Sequence, residues 1–351
     1  AWDAAAGPAT PIQPEAPLTV PSARVEAAAA VLREDSPSLI LLGGRALRGR
    51  ELTVAARIAA RTGATLVADT FVARMERGAG LPSVSRLPYF PDQVMELLRP
   101  YAHLIALGTR PPVSFFGYPD QPSRPVPDGC TVHTLADPAE DCSAALDELA
   151  LLLDARDGGD LAPAGRPEAP TGDLSVGSLG IALSSLQPED AIVIDEAATS
   201  AAAYLATSVG CPPHTLLGLT GGAIGQGLPC ATGAAVACPD RPVIAFEADG
   251  SGMYTVQSLW TQAREGLNVK TIICANRQYR ILKVELARAG IAEPGSAAAS
   301  LTDLGGPALD WVGLASSQGV AAERAESADE FVQALKCAFA EPGPYLIEAV
   351  L

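Results

Sequence analysis

No Cys-x-x-Cys pair, no His-x-His or His-Glu-x-x-His grouping, and no run near the roughly 18 consecutive apolar residues of a membrane span occurs in this 351-residue chain. The seven cysteines (Cys130, Cys142, Cys211, Cys230, Cys238, Cys274, Cys337) are odd in number and scattered singly. That excludes a disulfide framework or zinc cluster and points to reduced cysteines acting as small core residues in a cytoplasmic protein. His103, His133 and His214 are isolated from one another, so any metal chemistry falls to oxygen ligands. Positive charge is also short: 24 Lys+Arg face 40 Asp+Glu, a net charge of -16, which argues against a nucleic-acid partner. The start, Ala1-Trp2-Asp3, lacks the basic and apolar regions of a signal peptide. It lacks an initiator Met as well, since the methionines are Met75, Met95 and Met253, and a fragment, a processed form or part of a longer protein is expected. What is present suits a folded protein: 48% hydrophobic and 18% charged residues can fill real cores. At roughly 150 residues per domain, the length predicts two domains or three small ones.

Two stretches read as linkers. Residues 1–21 carry Pro8, Pro11, Pro14, Pro17 and Pro21, and residues 154–173 are rich in Gly, Pro and acid. Between them, 22–153 alternates helix and strand signals. Ser22 is placed to cap a helix through Leu32, followed by a strand at Leu39–Leu42, a helix at Leu52–Arg61 and a strand at Thr65–Ala68. Strands at Leu104–Leu107 and Gly129–Leu135 and a helix at Cys142–Leu153 complete this unit. The second unit, 174–351, repeats the logic: helix Leu179–Leu186, strand Ala191–Asp195, strand Val243–Ala248, helix Thr255–Glu265, strand Val269–Ala275, helix Ala328–Phe339 and strand Tyr345–Val350. The expected fold class is α/β, two doubly wound domains each built on a parallel sheet.

The chemistry concentrates in VIAFEADGSGMYTVQSLWTQAREGLNVKTIICAN. A buried strand ends at Asp249, Gly250 and Ser251 follow, and a helix begins within a turn. Gly250 permits close backbone approach, and the helix start offers unpaired N–H groups to an anion. Strand–helix–strand crossovers are right-handed, so Asp249 and Asn276 come to the same C-terminal sheet edge, where open α/β sheets bind ligands. A carboxylate, an amide oxygen and a helix N-terminus together suit an octahedral cation bridging to phosphate: an Mg²⁺–diphosphate site. Asp-Gly-Ser alone is also an ordinary turn; the placement of both residues at strand ends favours the site. No P-loop or nucleophile-elbow pattern is present, and the TGGAIGQG run does not spell the dinucleotide fingerprint.

Thr-Gly-Gly-Ala-Ile-Gly-Gln-Gly-Leu-Pro (220–229), Ala-Asp-Gly-Ser (248–251) and Ala-Asn-Arg-Gln-Tyr (275–279) together resemble the thiamine diphosphate (ThDP) enzymes of the acetolactate synthase and benzoylformate decarboxylase superfamily. Ala248 replaces the first Gly of the usual Gly-Asp-Gly, and Ala275 the first of the paired asparagines, while both ligand positions are kept. The resemblance implies that 22–153 is the family's central domain and 174–351 its diphosphate-binding domain. It implies Mg²⁺ held by Asp249, Asn276 and the Gln278 backbone carbonyl, with the diphosphate met by Gly250 and Ser251 and by the hydroxyls of Thr199 and Ser200. It implies that Tyr279 also belongs to the cofactor site, that the Gly222 carbonyl accepts from the aminopyrimidine, and that Ile224 wedges the cofactor into its bent form, though Ile224 also reads as simple core packing. That bend sets the 4'-imino nitrogen beside the thiazolium C2 proton, and the thiazolium then acts as an electron sink for a 2-oxo acid. The family's catalytic glutamate comes from a pyrimidine-binding domain of a neighbouring subunit. No acid in 1–351 substitutes for it, and that N-terminal domain is expected to be absent from this chain. A homodimer or homotetramer follows from the resemblance.

Within the superfamily, Tyr279-Arg280-Ile281-Leu282-Lys283-Val284-Glu285 lacks the Met and Trp of biosynthetic acetolactate synthases. Leu282 resembles the benzoylformate decarboxylase arrangement. Leu107–Phe116 stands where flavin-binding synthases carry an acidic segment, so FAD is not expected; Gly43-Gly44-Arg45 reads as a strand-to-helix turn rather than a dinucleotide loop. Phe115, Phe116 and Tyr118 are assigned to a core cap in preference to a substrate channel. Overall character is nearest the acetolactate synthase large-subunit-like branch. The expected function is ThDP- and Mg²⁺-dependent decarboxylation or carboligation of a 2-oxo acid. The alternatives are a benzoylformate decarboxylase-like enzyme, a separate subunit needing a pyrimidine-binding partner, or a catalytically silent cofactor-binding protein.

Overall fold

The computed structural model describes residues 7, 10–13, 15–291 and 293–351; the proposed linker 1–21 therefore falls partly outside the described residues. Twelve strands are present among them: β1 Ser38–Leu42, β2 Thr65–Ala68, β3 Met75–Arg77, β4 Ser85–Arg86, β5 His103–Leu107, β6 Thr131–Ala136, β7 Ile192–Glu196, β8 His214–Gly218, β9 Val243–Ala248, β10 Val269–Ala275, β11 Ala321–Ala325 and β12 Tyr345–Val350. They form two α/β sheets. The first runs β4-β2-β1-β5-β6 and is parallel throughout; the second runs β11-β12-β10-β9-β7-β8-β3 and is parallel except at β3.

Successive side chains of a strand point to opposite faces, and here each face meets its own core. In β1, Ile40 and Leu42 join a cluster with Leu52, Ile58, Leu146 and Leu149, while Leu39 and Leu41 join Val67, Val94 and Leu104 on the other side. In β9, Ile244 and Phe246 pack with Tyr204 and Phe331, and Val243 and Ala245 pack with Leu228, Leu259 and Trp311. Burial on both faces is why these strands read as continuous apolar runs. The helices begin and end on local chemistry: Asp141 accepts from the N–H groups of Ser143 and Ala144 to start Cys142–Leu152, and Gly63, at φ +76°, closes Gly49–Thr62.

Several expectations are corrected. Ser22 is the first residue of helix Ser22–Leu32 rather than its cap, because Pro21 occupies the cap position. The helix expected at Thr255–Glu265 is present as Ser258–Arg264, and a separate short helix, Asp249–Gly252, precedes it. The 154–173 stretch is laid into the structure: Ala155 and Ala162 are buried, Leu161 bridges to Pro82, and Gly165 donates to the Gly210 carbonyl at 2.9 Å. The segment between β2 and β4 leaves the first sheet to place β3 antiparallel against β8, pairing Met75 with Leu216 and Arg77 with His214. Gly43 packs so closely on the Gly108-Thr109 loop that a Cβ would lie 2.5 Å from that of Thr109. The Gly43-Gly44 turn is thus filled by protein.

Candidate functional site

Strands β9 and β10 run parallel in register from Val243↔Val269 to Ala248↔Cys274, so Asp249 and Asn276 leave adjacent strands at one edge. Asp249 is buried, 2% exposed, and is held by backbone: Oδ1 accepts from Gly250 N–H at 2.8 Å and Oδ2 from Arg277 N–H at 2.6 Å. Burial raises its pKa, and the amides of Arg277 and Gly250 oppose that rise. Arg277 adopts φ +55°, a conformation that costs a non-glycine residue energy and turns the chain sharply between Asn276 and Gln278. Asn276 Oδ1 accepts from Gln278 N–H at 3.0 Å, and the Gln278 carbonyl accepts from Arg280 N–H at 3.0 Å. Each oxygen keeps a second lone pair.

The residues expected around the diphosphate divide into two groups. Gly250, Ser251 and Tyr279 surround the Asp249 turn, with the Tyr279 ring so close on Gly250 that a Cβ there would lie 2.4 Å from Cε1. Gly250 therefore accommodates the ring, and its N–H already serves Asp249. Thr199 and Ser200 lie in the 3₁₀ turn Ala198–Ser200 beyond β7; Thr199 is half-buried, while Ser200 is buried.

The Thr220–Gly227 turn follows β8. Gly221 and Gly222 both have positive φ, and residues 221–224 are exposed, Ile224 by 37%. That exposure sets Ile224 outside the cores. The stem is tied firmly. Gln226 Oε1 accepts from the Thr220 hydroxyl at 2.9 Å, and Thr255 Oγ1 donates to the Gly225 carbonyl at 2.9 Å. Glu196 Oε1 accepts from Gly225 N–H at 2.6 Å, and Oε2 accepts from Gly227 N–H. Glu247, fully buried and paired in register with Glu196, has both carboxyl oxygens buried without a hydrogen-bond partner among the described residues. Burial first, then the neighbouring Glu196, pushes the Glu247 carboxyl well above the ordinary range.

The first unit also reaches the site. A Cβ on Gly222 would lie 2.7 Å from Phe115 Cζ, so that ring sits directly on the turn. Phe115 and Phe116 are 38% and 53% exposed and stack with Phe71 and Tyr89 in an interdomain aromatic group, not in a core. Tyr118 Oη donates to Glu285 Oε1 at 2.9 Å. Arg86 forms an ion pair with the buried Asp195 at 3.6 Å.

Spacing reasoning missed Glu196, Glu247 and Thr255. Their partners are main-chain groups or carboxyls about 30 to 50 positions away, and the one visible signal was acids closing fully buried strands. Among the described residues no group of three or more His, Cys, Asp or Glu is arranged to hold a metal. A cation here would use the Asp249 carboxylate, the Asn276 amide oxygen and the Gln278 carbonyl, a hard oxygen set that fits Mg²⁺.

Comparison with known proteins converges on the same segment. Residues 197–349 match the family model described as "Thiamine pyrophosphate enzyme, C-terminal TPP binding domain". The chain is 49% identical over 327 residues to the Mycobacterium tuberculosis protein named "Putative acetolactate synthase large subunit IlvX", covering 92% of this chain and 63% of that protein. It is 34% identical over 166 residues to benzoylformate decarboxylase of Pseudomonas aeruginosa, 47% of this chain and 30% of that one. It thus spans less than two thirds of these curated relatives. In fold it is similar to the thiamine diphosphate-dependent 4-hydroxybenzoylformate decarboxylase of Rhodococcus jostii RHA1, with TM-score 0.78 and 23% identity over 97% of this chain and 66% of that one.

Proposed function

We propose that the chain, whose residues 197–349 match the C-terminal TPP-binding domain of thiamine pyrophosphate enzymes, supplies the diphosphate half of a ThDP site in an enzyme that decarboxylates or ligates 2-oxo acids. The observation that carries this reading is Asp249: a carboxylate 2% exposed, held by two backbone amides, at a strand end beside Asn276. A buried carboxylate is costly unless something compensates its charge, and a divalent cation does so.

In this reading Asp249, Asn276 and the Gln278 carbonyl hold Mg²⁺, and Ser251, Gly250, Tyr279, Thr199 and Ser200 surround the diphosphate. The Gly222 carbonyl accepts from the aminopyrimidine, and Ile224 supports the bend between the two rings. When bound, the cofactor supplies the electron sink for cleaving the bond between the carboxylate and the carbonyl carbon. The glutamate facing the pyrimidine is assigned to a pyrimidine-binding domain of a neighbouring subunit, and a homodimer or homotetramer is the working form only of a protein that includes that domain. Relatedness to an acetolactate synthase large-subunit-like protein over 92% of the chain supports a carboligase. Leu282, 48% exposed on helix Arg280–Arg288, supports the second reading, a benzoylformate decarboxylase-like lyase.

Calorimetric titration of the chain with ThDP tests the site. Binding is expected with Mg²⁺, and it should be lost with a chelator or in Asp249→Ala; equal affinity with and without chelator would overturn the assignment. A panel of 2-oxo acids assayed for both CO₂ and acetolactate separates carboligase from decarboxylase.

A further inference from the structure

Gly225 is the pivot of the exposed turn. It follows Ile224 directly, has φ +92°, and both of its main-chain polar groups are held by side chains from elsewhere in the fold. Its N–H goes to Glu196 Oε1 at 2.6 Å, and its carbonyl accepts from Thr255 Oγ1 at 2.9 Å. Beyond it, the other Glu196 oxygen takes Gly227 N–H, the first amide of helix Gly227–Ala237. One carboxylate therefore spans the junction between turn and helix. The tip itself is weakly held: Ala223 N–H reaches the Thr220 carbonyl at 3.4 Å, and residues 221–224 are exposed.

Glu196 has no room to adopt another position. It is 2% exposed, and Glu247 fills the space beside it. A Cβ at position 227 would lie 1.7 Å from Glu247 Oε1 and 2.7 Å from Glu196 Oε2, so the helix start presses onto both acids. No other side chain type serves equally well. Aspartate is one methylene shorter, and glutamine would set an amide N–H against one of the two glycine N–H groups.

We propose that Glu196 is a positioning residue whose carboxylate fixes the backbone at Gly225 and Gly227, and so aims Gly222 and Ile224 at the pyrimidine half of the cofactor. This rests on the ThDP reading above, in which the metal end is held separately by Asp249 and Asn276. The two ends of the cofactor are then supported by different devices, which makes the role separable by experiment.

The test uses the full chain and its Glu196→Gln, Thr255→Val and Thr255→Ser variants. In the cofactor-free protein, amide hydrogen exchange across 220–228 should accelerate about tenfold or more in Glu196→Gln, as expected for loss of a charge-assisted bond, with β9 and β10 unchanged. Affinity for Mg²⁺–ThDP should fall by about tenfold or more, while affinity for Mg²⁺ and inorganic pyrophosphate stays within about twofold. Thr255→Val should reproduce a weaker form of this split, and Thr255→Ser, which keeps the hydroxyl donor, should restore wild-type behaviour. Unchanged exchange at 220–228 would overturn the clamp whatever the cofactor does. Equal losses for ThDP and pyrophosphate would mean a merely structural role and overturn the positioning. Loss of protection throughout β9 and β10 in Glu196→Gln would do the same, unless Thr255→Val showed the split. Failure of the wild-type chain to bind Mg²⁺–ThDP would remove the ThDP reading and this role with it, whereas the exchange result would still report whether Glu196 holds the turn.

Discussion

His214 shows how far a single buried group can couple this fold to pH. It begins β8, is 2% exposed, and its Nδ1 lies 2.9 Å from the Pro212 carbonyl, which makes Nδ1 the protonated nitrogen of the neutral ring. Nε2 is buried without a hydrogen-bond partner. A second proton would therefore bring a charge into the interior with nothing to receive it, and burial lowers the pKa to about 4; the Pro212 carbonyl opposes this, Arg77 adds to it and Glu76 opposes it. The sign follows from proton counting. Between the unfolded value near 6.5 and the folded value near 4, the unfolded chain binds a proton that the folded chain refuses. The native state carries no such penalty above pH of about 6.5, and the cost grows as pH falls, reaching about 3 kcal/mol near pH 4. His214→Asn keeps an N–H for the Pro212 carbonyl but cannot titrate. Its melting temperature, measured from pH 4 to 7, should fall less steeply than that of the parent; parallel curves would rule out His214 as the source.

At the scale of elements, depth of burial separates what could be read in advance from what could not. Strands β1, β5, β9 and β10 lie between two cores and read as short apolar runs. Asp249 and Asn276 were legible for the same reason, as polar residues that end such runs. By contrast β3 is three residues long, β4 is two, and β11 is the polar edge segment Ala-Ala-Glu-Arg-Ala, so their pairing depends on backbone partners far along the chain. The clamp on the glycine turn was hidden likewise, because Glu196 meets main-chain amides 29 and 31 residues away. Helix Arg280–Arg288 illustrates the energetic consequence. It contributes no buried residue, and its ties to the first unit are Tyr118–Glu285, the Arg288–Asp92 ion pair and Arg288 lying 3.9 Å over the Phe90 ring. Half-exposed contacts of this kind are each worth about 1 kcal/mol or less. Its amides should therefore exchange well before those of β10, which immediately precedes it, and Tyr118→Phe should hasten them further. Mass-spectrometric hydrogen exchange decides this; protection equal to that of β10 would show that the helix is held by something stronger.

For the whole molecule, the two sheets have separate cores but are not separate in structure. The segment between β2 and β4 crosses over to supply β3, which covers the β8 edge of the second sheet. Arg77, on that strand, sends its guanidinium to the Leu205 carbonyl at 2.6 Å. Arg86, on β4, faces Asp195, whose pKa burial raises and whose charge Arg86 is the foremost group to stabilise. The first unit thus closes an exposed edge of the second and compensates a buried acid next to Glu196. An unpaired edge invites association, and a buried carboxylate deprived of its partner is destabilising. The intact chain is accordingly expected to melt in one cooperative transition. Residues 174–351 expressed alone should melt at lower temperature and associate through β8, and Arg86→Met in the intact chain should cost about 2 kcal/mol or more, because Asp195 would remain buried without its cation. Calorimetry on the three proteins, with light scattering for association, tests the coupling. Two resolved transitions in the intact chain, the later one matching the fragment, would mean that each sheet folds as if the other were absent.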